Sequence, residues 1–184
     1  MIPNVCVISV PHSGTQFLVQ ALKRVGWRDA GLNSVFNAVF SQTPTCYQGH
    51  CVKPTQTGFA VELSKHMPVF MPMRHPYRVA ESWRRRGMDE RELLTAYDHM
   101  LNHLQPHVAA FVPVDGDPGV RALSHCKLND AVNGWVPMDW DTVVGSTHGT
   151  AHVSLRSLDP SDEIREICNH PLITEFYDHD HDHH

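Results

Sequence analysis

Four short runs of apolar, largely β-branched residues divide the chain and predict buried strands. Each run is too short for a buried helix, and turn-forming residues bound most of them. The runs are residues 4–10, Cys46–Val52, Pro68–Met73 and Phe111–Val114. Pro72 lacks an amide N–H near the end of the third run, which weakens that strand prediction. Longer polar-apolar segments separate the four runs and leave room for helices.

In these segments apolar residues recur at the three- and four-residue spacing of an amphipathic helix. The first helix is predicted from Thr15 to Val25, and Gly26 ends it. Asp89 and Glu92 form a capping box that begins another helix, which continues to about residue 104. The remaining helices are predicted over residues 57–66, Pro76–Arg86, 118–132 and Ser161–Cys168. The composition of residues 31–45 and 133–153 indicates loops.

Strands that alternate with helices predict an α/β fold with an open, mainly parallel sheet and helices on both faces. The length of the chain favours one domain, which we assign to residues 1–170. Ligands of such sheets bind beyond the carboxyl ends of the strands. We therefore expect three segments to meet at one edge of the sheet, namely Pro11–Thr15, His50–Lys53 and Arg74–Pro76.

The composition and charge exclude several classes of protein. Hydrophobic residues make up 41% and charged residues 19% of the 184 residues, as in a soluble globular domain. The net charge of -5 argues against a nucleic-acid partner, and the absence of long apolar runs argues against a membrane span. The five cysteines are an odd number without C-x-x-C spacing, so we expect reduced, mostly buried thiols in a cytoplasmic protein. The N-terminus has no basic segment that leads into an apolar one, so we expect no signal peptide.

The C-terminal residues 171–184 form the segment that we assign to an acidic, histidine-rich tail. Its last residues read Y-D-H-D-H-D-H-H, a polar composition that predicts disorder. Such a run can also bind divalent metal ions adventitiously. We predict no functional metal site in the chain.

The segment after the first strand has the arrangement of a phosphate-binding loop, in which a strand, a glycine turn and a helix N-terminus follow one another. Residues 11–18 read P-H-S-G-T-Q-F-L. Thr15 and Gln16 stand where a nucleotide-hydrolysing P-loop has its lysine and its magnesium-binding hydroxyl. A magnesium-dependent kinase is therefore disfavoured. The amides from Ser13 to Gln16, with Gly14 and Thr15 between them, still predict an anion site at the positive end of a helix.

A second segment, after the third strand, reads M-R-H-P-Y-R-V-A-E-S-W over residues 73–83. Together the two segments resemble the signatures of sulfotransferases that use 3′-phosphoadenosine 5′-phosphosulfate (PAPS). Arg74, Pro76 and Ser82 match the arginine, proline and serine of the second signature. The resemblance covers residues 4–88 and implies a P-loop-type sheet, PAPS as co-substrate and no metal. It also implies that Arg74 and Ser82 bind the 3′-phosphate, for which a guanidinium and a hydroxyl are suitable donors.

The chain departs from this family at several positions. His12 stands where the family has a lysine or arginine that supports the leaving group, and a histidine can replace that cation only when it is protonated. Gln16 replaces a second hydroxyl residue, and its amide can donate to a phosphate. The glycine-rich segment that grips the 3′-phosphate in many members is not evident. Arginines that could substitute for it are Arg84, Arg85, Arg86 and Arg121.

Sulfuryl transfer also needs a base that takes the proton of the acceptor. Many members of the family use a histidine at the end of the second strand, and His50 lies in the matching region. Alternative bases are Glu62, His66 and His148. The resemblance implies a sulfotransferase in which His12 and His50 are catalytic and the acceptor is a small molecule or carbohydrate. Val35, Phe36, Val39 and Phe40 are expected either to line the acceptor pocket or to belong to a packed helix.

Two other interpretations remain open. One is a nucleotide-binding or interaction domain that has kept the sulfotransferase fold without turnover. The other is a degenerate P-loop domain in which Arg74 only pairs with a neighbouring acid.

Overall fold

The computed structural model describes residues 3–37, 42–116, 118–131 and 158–177. Within these ranges five strands form one sheet in which every pairing is parallel. The strands are β1 (Val5–Ser9), β2 (Arg28–Asp29), β3 (Thr45–His50), β4 (Val69–Met73) and β5 (Ala110–Pro113). Their order is β2-β3-β1-β4-β5, so β1 lies in the centre of the sheet. The predicted open, parallel α/β sheet is confirmed.

Helices connect and cover the strands. They are α1 (Thr15–Arg24), α2 (Pro54–Ser64), α3 (Pro76–Arg85), α4 (Glu90–Asp98), α5 (Pro118–Ala131), α6 (Asp162–Cys168) and α7 (Pro171–Tyr177). Shorter helical turns cover Ser34–Asn37, His99–Leu104 and Gln105–His107. In the part of the chain that the structure describes, none of these helices has the length and apolar character to cross a membrane.

Helices lie on both faces of the sheet, as the sequence predicted. The chain moves from β1 to β2 in one direction across the sheet and from β3 to β4 to β5 in the other. Because such crossovers are right-handed, α1 lies on one face and α2, α3 and α4 lie on the opposite face. Alternate residues of β1 contribute to two separate cores. Val5 and Val7 belong to the core that contains α1, whereas Cys6 and Ile8 belong to the core that contains α2, α3 and α4.

The structure differs from the predicted elements at three places in the first half of the chain. The polar pair Arg28–Asp29 forms the short edge strand β2, which apolar patterning did not indicate. Ser34–Asn37 forms a helical turn within the segment predicted as a loop. Helix α2 begins at Pro54, three residues before the predicted start, because proline is well suited to the first turn of a helix.

The C-terminal segment differs more strongly from the prediction. Residues 171–177 form helix α7, and the side chains of Leu172, Ile173, Phe176 and Tyr177 are buried. The predicted boundary at residue 171 between a domain and a disordered tail is therefore wrong, since these apolar residues complete the core over α6. The rest of the predicted tail, residues 178–184, and the predicted loop 133–153 lie outside the described residues.

All five cysteines are unpaired, and four of them are buried, as predicted. Burial raises the pKa of Cys6 and of Cys51 to about 12, so both thiols are uncharged at neutral pH. The fifth, Cys126, is exposed on α5. The buried cysteines therefore act as small apolar residues in the packing.

Candidate functional site

The loop Pro11–Gly14 leaves the carboxyl end of the central strand and enters α1. The neighbours of β1 are β3 and β4, and the connections of the sheet run in opposite directions on its two sides. The carboxyl end of β1 is therefore the point at which the strand order reverses, where open α/β sheets bind their ligands. The topology thus places the predicted phosphate-binding loop at the expected position in the fold.

Two residues of this loop have left-handed backbone conformations. His12 has a φ angle of 68°, which is uncommon for a residue with a side chain. Gly14 has a φ angle of 106°, and a Cβ atom at this position would lie 2.7 Å from Cγ1 of Val114. Val114 follows β5 directly. Glycine at position 14 therefore permits both the turn and the close approach of the loop to the end of β5.

Ser13 stabilises the loop rather than facing a ligand. Its N–H donates to the carbonyl oxygen of Val10 at 3.2 Å. Its buried hydroxyl lies 2.6 Å from the carbonyl oxygen of Val10 and 3.1 Å from that of Pro72 on β4. The amide and the hydroxyl of Ser13 are therefore both engaged within the protein, and the predicted anion site reduces to Gly14, Thr15 and Gln16.

Trp83 of α3 provides a further anchor for the loop. Its indole Nε1 donates to the carbonyl oxygen of Pro11 at 3.1 Å, and its side chain is almost fully buried. Its ring also makes an edge contact with the imidazole of His12, with 6.2 Å between the ring centroids. Thr15, the first residue of α1, forms a hydrogen bond between its hydroxyl and the hydroxyl of Ser9. The conformation of the loop is thus fixed from both sides of β1.

The amides of Gly14, Thr15 and Gln16 have no hydrogen-bond acceptor among the described residues. The N–H groups in the first turn of a helix have no partner within the helix and are partly positive. The side-chain amide of Gln16 donates to Gln48 at 3.1 Å, and Gln48 in turn donates to Asp29 at 2.6 Å. One N–H of the Gln16 side chain is therefore already used, but the three backbone amides are available to an anion.

His12 and His50 lie at the same edge of the sheet. His50 is the last residue of β3 and pairs with Ser9, the last residue of β1. Burial lowers the pKa of His12, and the positive charges of Arg86, of His50 when it is protonated and of Arg74 lower it further. Burial also lowers the pKa of His50. Both imidazoles are therefore more weakly basic than a free histidine, and His12 lies within the electrostatic range of the predicted donor-binding residue Arg74.

Arg74 follows β4 and lies beside an acid that the sequence analysis did not single out. Its Nε atom is 3.6 Å from Oδ2 of Asp115, and the same oxygen accepts from Nη1 of Arg78 at 3.0 Å. The other carboxylate oxygen of Asp115 accepts from the N–H of His75 at 3.1 Å. Asp115 is 9% exposed, so this cluster is largely shielded from water. The terminal nitrogens of Arg74 make no hydrogen bond to any of the described residues.

Helix α7 packs against the turn that follows Asp115. A Cβ atom at Gly116 would lie 3.1 Å from the ring of Tyr177, so the turn after Asp115 packs directly on that ring. Burial raises the pKa of Tyr177 well above its usual value, and the neighbouring charge of Asp115 contributes in the same direction. The C-terminal helix that the sequence analysis missed therefore supports the turn that carries Asp115.

Ser82 lies on α3, one helical turn after Arg78, and is half-buried. Residues four apart lie on the same face of a helix, so the side chains of Ser82 and Arg78 share a face. Pro76 is the first residue of α3, and His75 caps that helix by accepting the N–H of Tyr77. The second predicted segment therefore has the expected strand-to-helix geometry.

The alternative bases are not brought to this site. Glu62 lies in the last turn of α2 and His66 lies two residues after that helix, remote from the carboxyl ends of the strands, and Glu62 binds Lys65 at 2.6 Å. His148 lies outside the described residues, as do Val39 and Phe40 of the predicted acceptor pocket. Val35 is buried against Gly49, which makes it part of the core. Among the candidate bases that the structure describes, His50 is the one at the site.

The sequence analysis missed Asp115 and Trp83. Asp115 follows a predicted strand, and the rule that ligands bind at the carboxyl ends of strands applied to it as well. The Asp115-Gly116 sequence is also typical of a turn, which gives the aspartate a purely structural explanation. Trp83 follows the matched Ser82 directly, but its contact with Pro11 joins residues that are distant in the chain and has no local signal.

No protein-family model, curated protein or solved structure matches the chain. The fold and the geometry of the site are therefore the basis for a functional assignment. Among the described residues, no three histidine, cysteine, aspartate or glutamate side chains form a group that could hold a metal ion.

Proposed function

We propose that the chain is a sulfotransferase that moves a sulfuryl group from PAPS to a hydroxyl or amine acceptor. The observation that carries this proposal is the set of groups at the carboxyl end of β1. The free amides of Gly14, Thr15 and Gln16 lie next to His12, and His12 lies within the electrostatic range of His50 and Arg74. The set combines anion-binding amides, a guanidinium and two imidazoles of lowered basicity.

The donor has two anionic ends, and the site offers two groups of donors for them. The loop amides at the N-terminus of α1 suit the 5′-phosphosulfate, because they are directed donors at the positive end of a helix dipole. Arg74 and Ser82 suit the 3′-phosphate, which distinguishes PAPS from ATP. The terminal nitrogens of Arg74 remain available for this role even though its Nε faces Asp115. The loop carries no lysine for the outer phosphates of ATP.

In the proposed reaction the acceptor oxygen or nitrogen forms a bond to sulfur while the bond from sulfur to the bridging oxygen of the donor breaks. The bridging oxygen keeps the electron pair and leaves as part of 3′,5′-ADP. His50 accepts the proton of the acceptor, for which a neutral imidazole is required. The burial that lowers the pKa of His50 keeps that imidazole neutral at physiological pH.

His12 has the opposite requirement, since it supports the negative charge that develops on the leaving phosphate. In the free protein its pKa is lowered, so the imidazole is neutral at physiological pH. An anion bound at the loop raises the pKa of a neighbouring histidine. We infer that donor binding itself protonates His12, so that the charge is present when the leaving group needs it.

Binding of 3′,5′-ADP and of 5′-AMP tests the donor assignment. We expect 3′,5′-ADP to raise the melting temperature and to bind more tightly than 5′-AMP by isothermal titration calorimetry. Both experiments should give the same result with EDTA as with magnesium. Equal affinity for the two nucleotides would refute a 3′-phosphate site, and a strict magnesium requirement would favour a kinase.

A second candidate is a nucleotide-binding domain without turnover. The lowered pKa of His12 favours it, because an uncharged imidazole gives little support to a leaving phosphate. Release of 3′,5′-ADP from PAPS separates the two candidates once an acceptor is identified. We expect a bell-shaped pH dependence of turnover, extended to higher pH in His12→Lys and abolished in His12→Ala with donor binding largely kept. Turnover of His12→Ala at the parent rate would exclude a catalytic role for His12.

A further inference from the structure

Three consecutive arginines end α3, and two of them are held by partners. Nη1 of Arg84 lies 3.1 Å from Glu81, and its Nη2 donates to the carbonyl oxygen of Asp159 at 2.8 Å. Nε of Arg85 lies 2.7 Å from the same carboxylate of Glu81. Within the ranges that the structure describes, Arg86 has no acidic partner and makes no side-chain hydrogen bond. Judged by the described residues, its guanidinium is thus the one of the three without a partner, which leaves it available to a ligand.

The backbone contacts of α3 bring Arg86 to the phosphate-binding loop. Arg86 is the C-cap of the helix, and its N–H donates to the carbonyl oxygen of Trp83 at 3.0 Å. Trp83 in turn donates to Pro11 and makes the edge contact with His12 described above. The end of α3 is therefore bound to the first two residues of the loop through one buried side chain.

Arg86 lies about one helical turn after Trp83, whose ring contacts His12, so the charge of Arg86 acts on the loop. After burial, it is the leading cause of the lowered pKa of His12, ahead of His50 and Arg74. An arginine in the last turn of a helix also stabilises that helix end, which is the alternative role for this side chain. Arg84 and Arg85 occupy the same helix end and already provide that stabilisation. Arg86 differs from them in that it has no counter-charge among the described residues and its charge acts on His12.

We propose that Arg86 is a donor-binding residue and that its guanidinium contacts the oxygens of the 5′-phosphate at the loop. This inference rests on the proposed function and deepens it. A guanidinium keeps its charge over the whole physiological pH range, whereas an imidazole does not. Arg86 thus supplies the permanent positive charge that the loop lacks because His12 replaces a lysine. His12 is then left to respond to the bound anion.

Affinities of Arg86→Ala, Arg86→Lys and the control Arg85→Ala test this inference. Arg85 is a suitable control because it is exposed, adjacent in sequence and held by Glu81. We expect Arg86→Ala to lower the affinity for both 3′,5′-ADP and 5′-AMP by about tenfold or more, since both nucleotides carry the 5′-phosphate. Arg86→Lys should recover part of this loss, and Arg85→Ala should stay within about twofold of the parent.

Inorganic phosphate serves as a second probe that does not depend on the nucleotide. We follow phosphate binding by the NMR amide signals of Gly14, Thr15 and Gln16. The affinity for phosphate should be lower in Arg86→Ala than in Arg85→Ala. If the parent binds phosphate in this way but neither nucleotide, the proposed function fails and the role of Arg86 in an anion site stands. If Arg86→Ala and Arg85→Ala bind phosphate and nucleotides equally, Arg86 only ends a helix and the inference is overturned.

Discussion

The Nε atom of Arg74 lies 3.6 Å from the carboxylate of Asp115, at the edge of the sheet where the central strand ends. The same carboxylate binds Arg78 at 3.0 Å, so two positive charges share one negative charge and one positive charge remains. The acid holds the Nε edge of Arg74 and leaves its terminal nitrogens without a partner in the described part of the chain. Asp115 thus both orients Arg74 and competes with any anion that binds there.

The first prediction concerns Asp115→Asn. The asparagine keeps an oxygen that accepts from the N–H of His75, but it removes the charge that competes for Arg74 and Arg78. We expect tighter binding of 3′,5′-ADP and a lower free energy of unfolding, by roughly 3 kcal/mol, because two largely shielded arginines lose their partner. Calorimetry and urea denaturation measure the two effects. Weaker binding without any change in stability would contradict this account of the pair.

The second prediction concerns Arg74→Ala. We expect it to weaken 3′,5′-ADP by about 1.5–3 kcal/mol, the range for a hydrogen bond to a charged group, and to leave 5′-AMP nearly unchanged. The difference from Arg86→Ala, which should weaken both nucleotides, separates the 3′-phosphate site from the 5′-phosphate site. Calorimetry with the two nucleotides provides the comparison. Equal losses for both would remove Arg74 from the 3′-phosphate site.

The third prediction concerns Gly14→Ala. A methyl group there must accept a left-handed φ angle and would lie 2.7 Å from Val114. We expect a loss of about 2–4 kcal/mol in the free energy of unfolding, from backbone strain and overpacking together. Gly26→Ala is the matched control, since Gly26 has a φ angle of 112° with no atom within 4 Å of the added Cβ. The control should lose only about 1 kcal/mol, and equal losses would show that Val114 does not restrict the loop.

The fourth prediction concerns pH. The pKa values of His12 and His50 are lowered from 6.5 in the folded protein. At a pH between the lowered pKa values and 6.5, the unfolded chain therefore binds more protons than the folded protein. The two imidazoles should therefore contribute no pH dependence to stability above about pH 7, and stability should fall as the pH drops below about 6.5. Urea denaturation at about pH 7.5 and about pH 5.5 measures this loss, which should be smaller in the double variant His12→Asn, His50→Asn.

His125 on α5 provides the control for that experiment. Burial also lowers its pKa, but it does not lie on the loop. His125→Asn should reduce the loss of stability at acid pH on its own, and a saturating anion should leave that contribution unchanged. The contribution of His12 should instead shrink when an anion binds at the loop. An identical loss of stability in the parent and the double variant would show that protonation of His12 and His50 does not destabilise the folded protein.

The fifth prediction concerns helix α7. Ile173 is 1% exposed, and Ile173→Ala should lower the free energy of unfolding by about 2–5 kcal/mol. Glu175→Ala is the control, because the ion pair of Glu175 with Lys127 is about half exposed and contributes about 0–1 kcal/mol. Thermal and urea denaturation of both variants decide the matter. If Ile173→Ala is as stable as the control, residues 171–177 belong to the disordered tail that the sequence predicted.

The parts of the fold that the sequence predicted are those with a local cause. The apolar runs predicted β1, β3, β4 and β5 because each strand is buried on both faces. Asp89 predicted the start of α4, and its carboxylate indeed accepts the N–H of Arg91. The position of His50 followed from parallel strands alone, and its pairing opposite Ser9 confirms that position.

Some parts of the fold that the sequence did not predict depend on contacts between residues that are distant in the chain. Another part, α7, has an apolar pattern that is followed directly by a strongly polar run. The two polar residues Arg28 and Asp29 form a strand only because β3 offers a free edge. The apolar residues of α7 were overlooked because a run of aspartates and histidines follows them directly. The role of Asp115 depends on Arg74 and Arg78, which are brought to it by sheet pairing. The pairings of Arg28–Asp29 with β3 and of Asp115 with the two arginines join residues that are distant in the chain, so the surrounding sequence does not indicate them.

The central position of β1 has a consequence for folding kinetics. Neither neighbour of β1 is the next strand in the chain, since β3 begins at Thr45 and β4 begins at Val69. Each pairing requires the closure of a long loop, which costs entropy before any contact forms. The close approach of Val114 to Gly14 requires β5 as well, so the loop Pro11–Gly14 reaches its final conformation late. A nucleotide that binds this loop should therefore slow unfolding and leave the rate of folding unchanged.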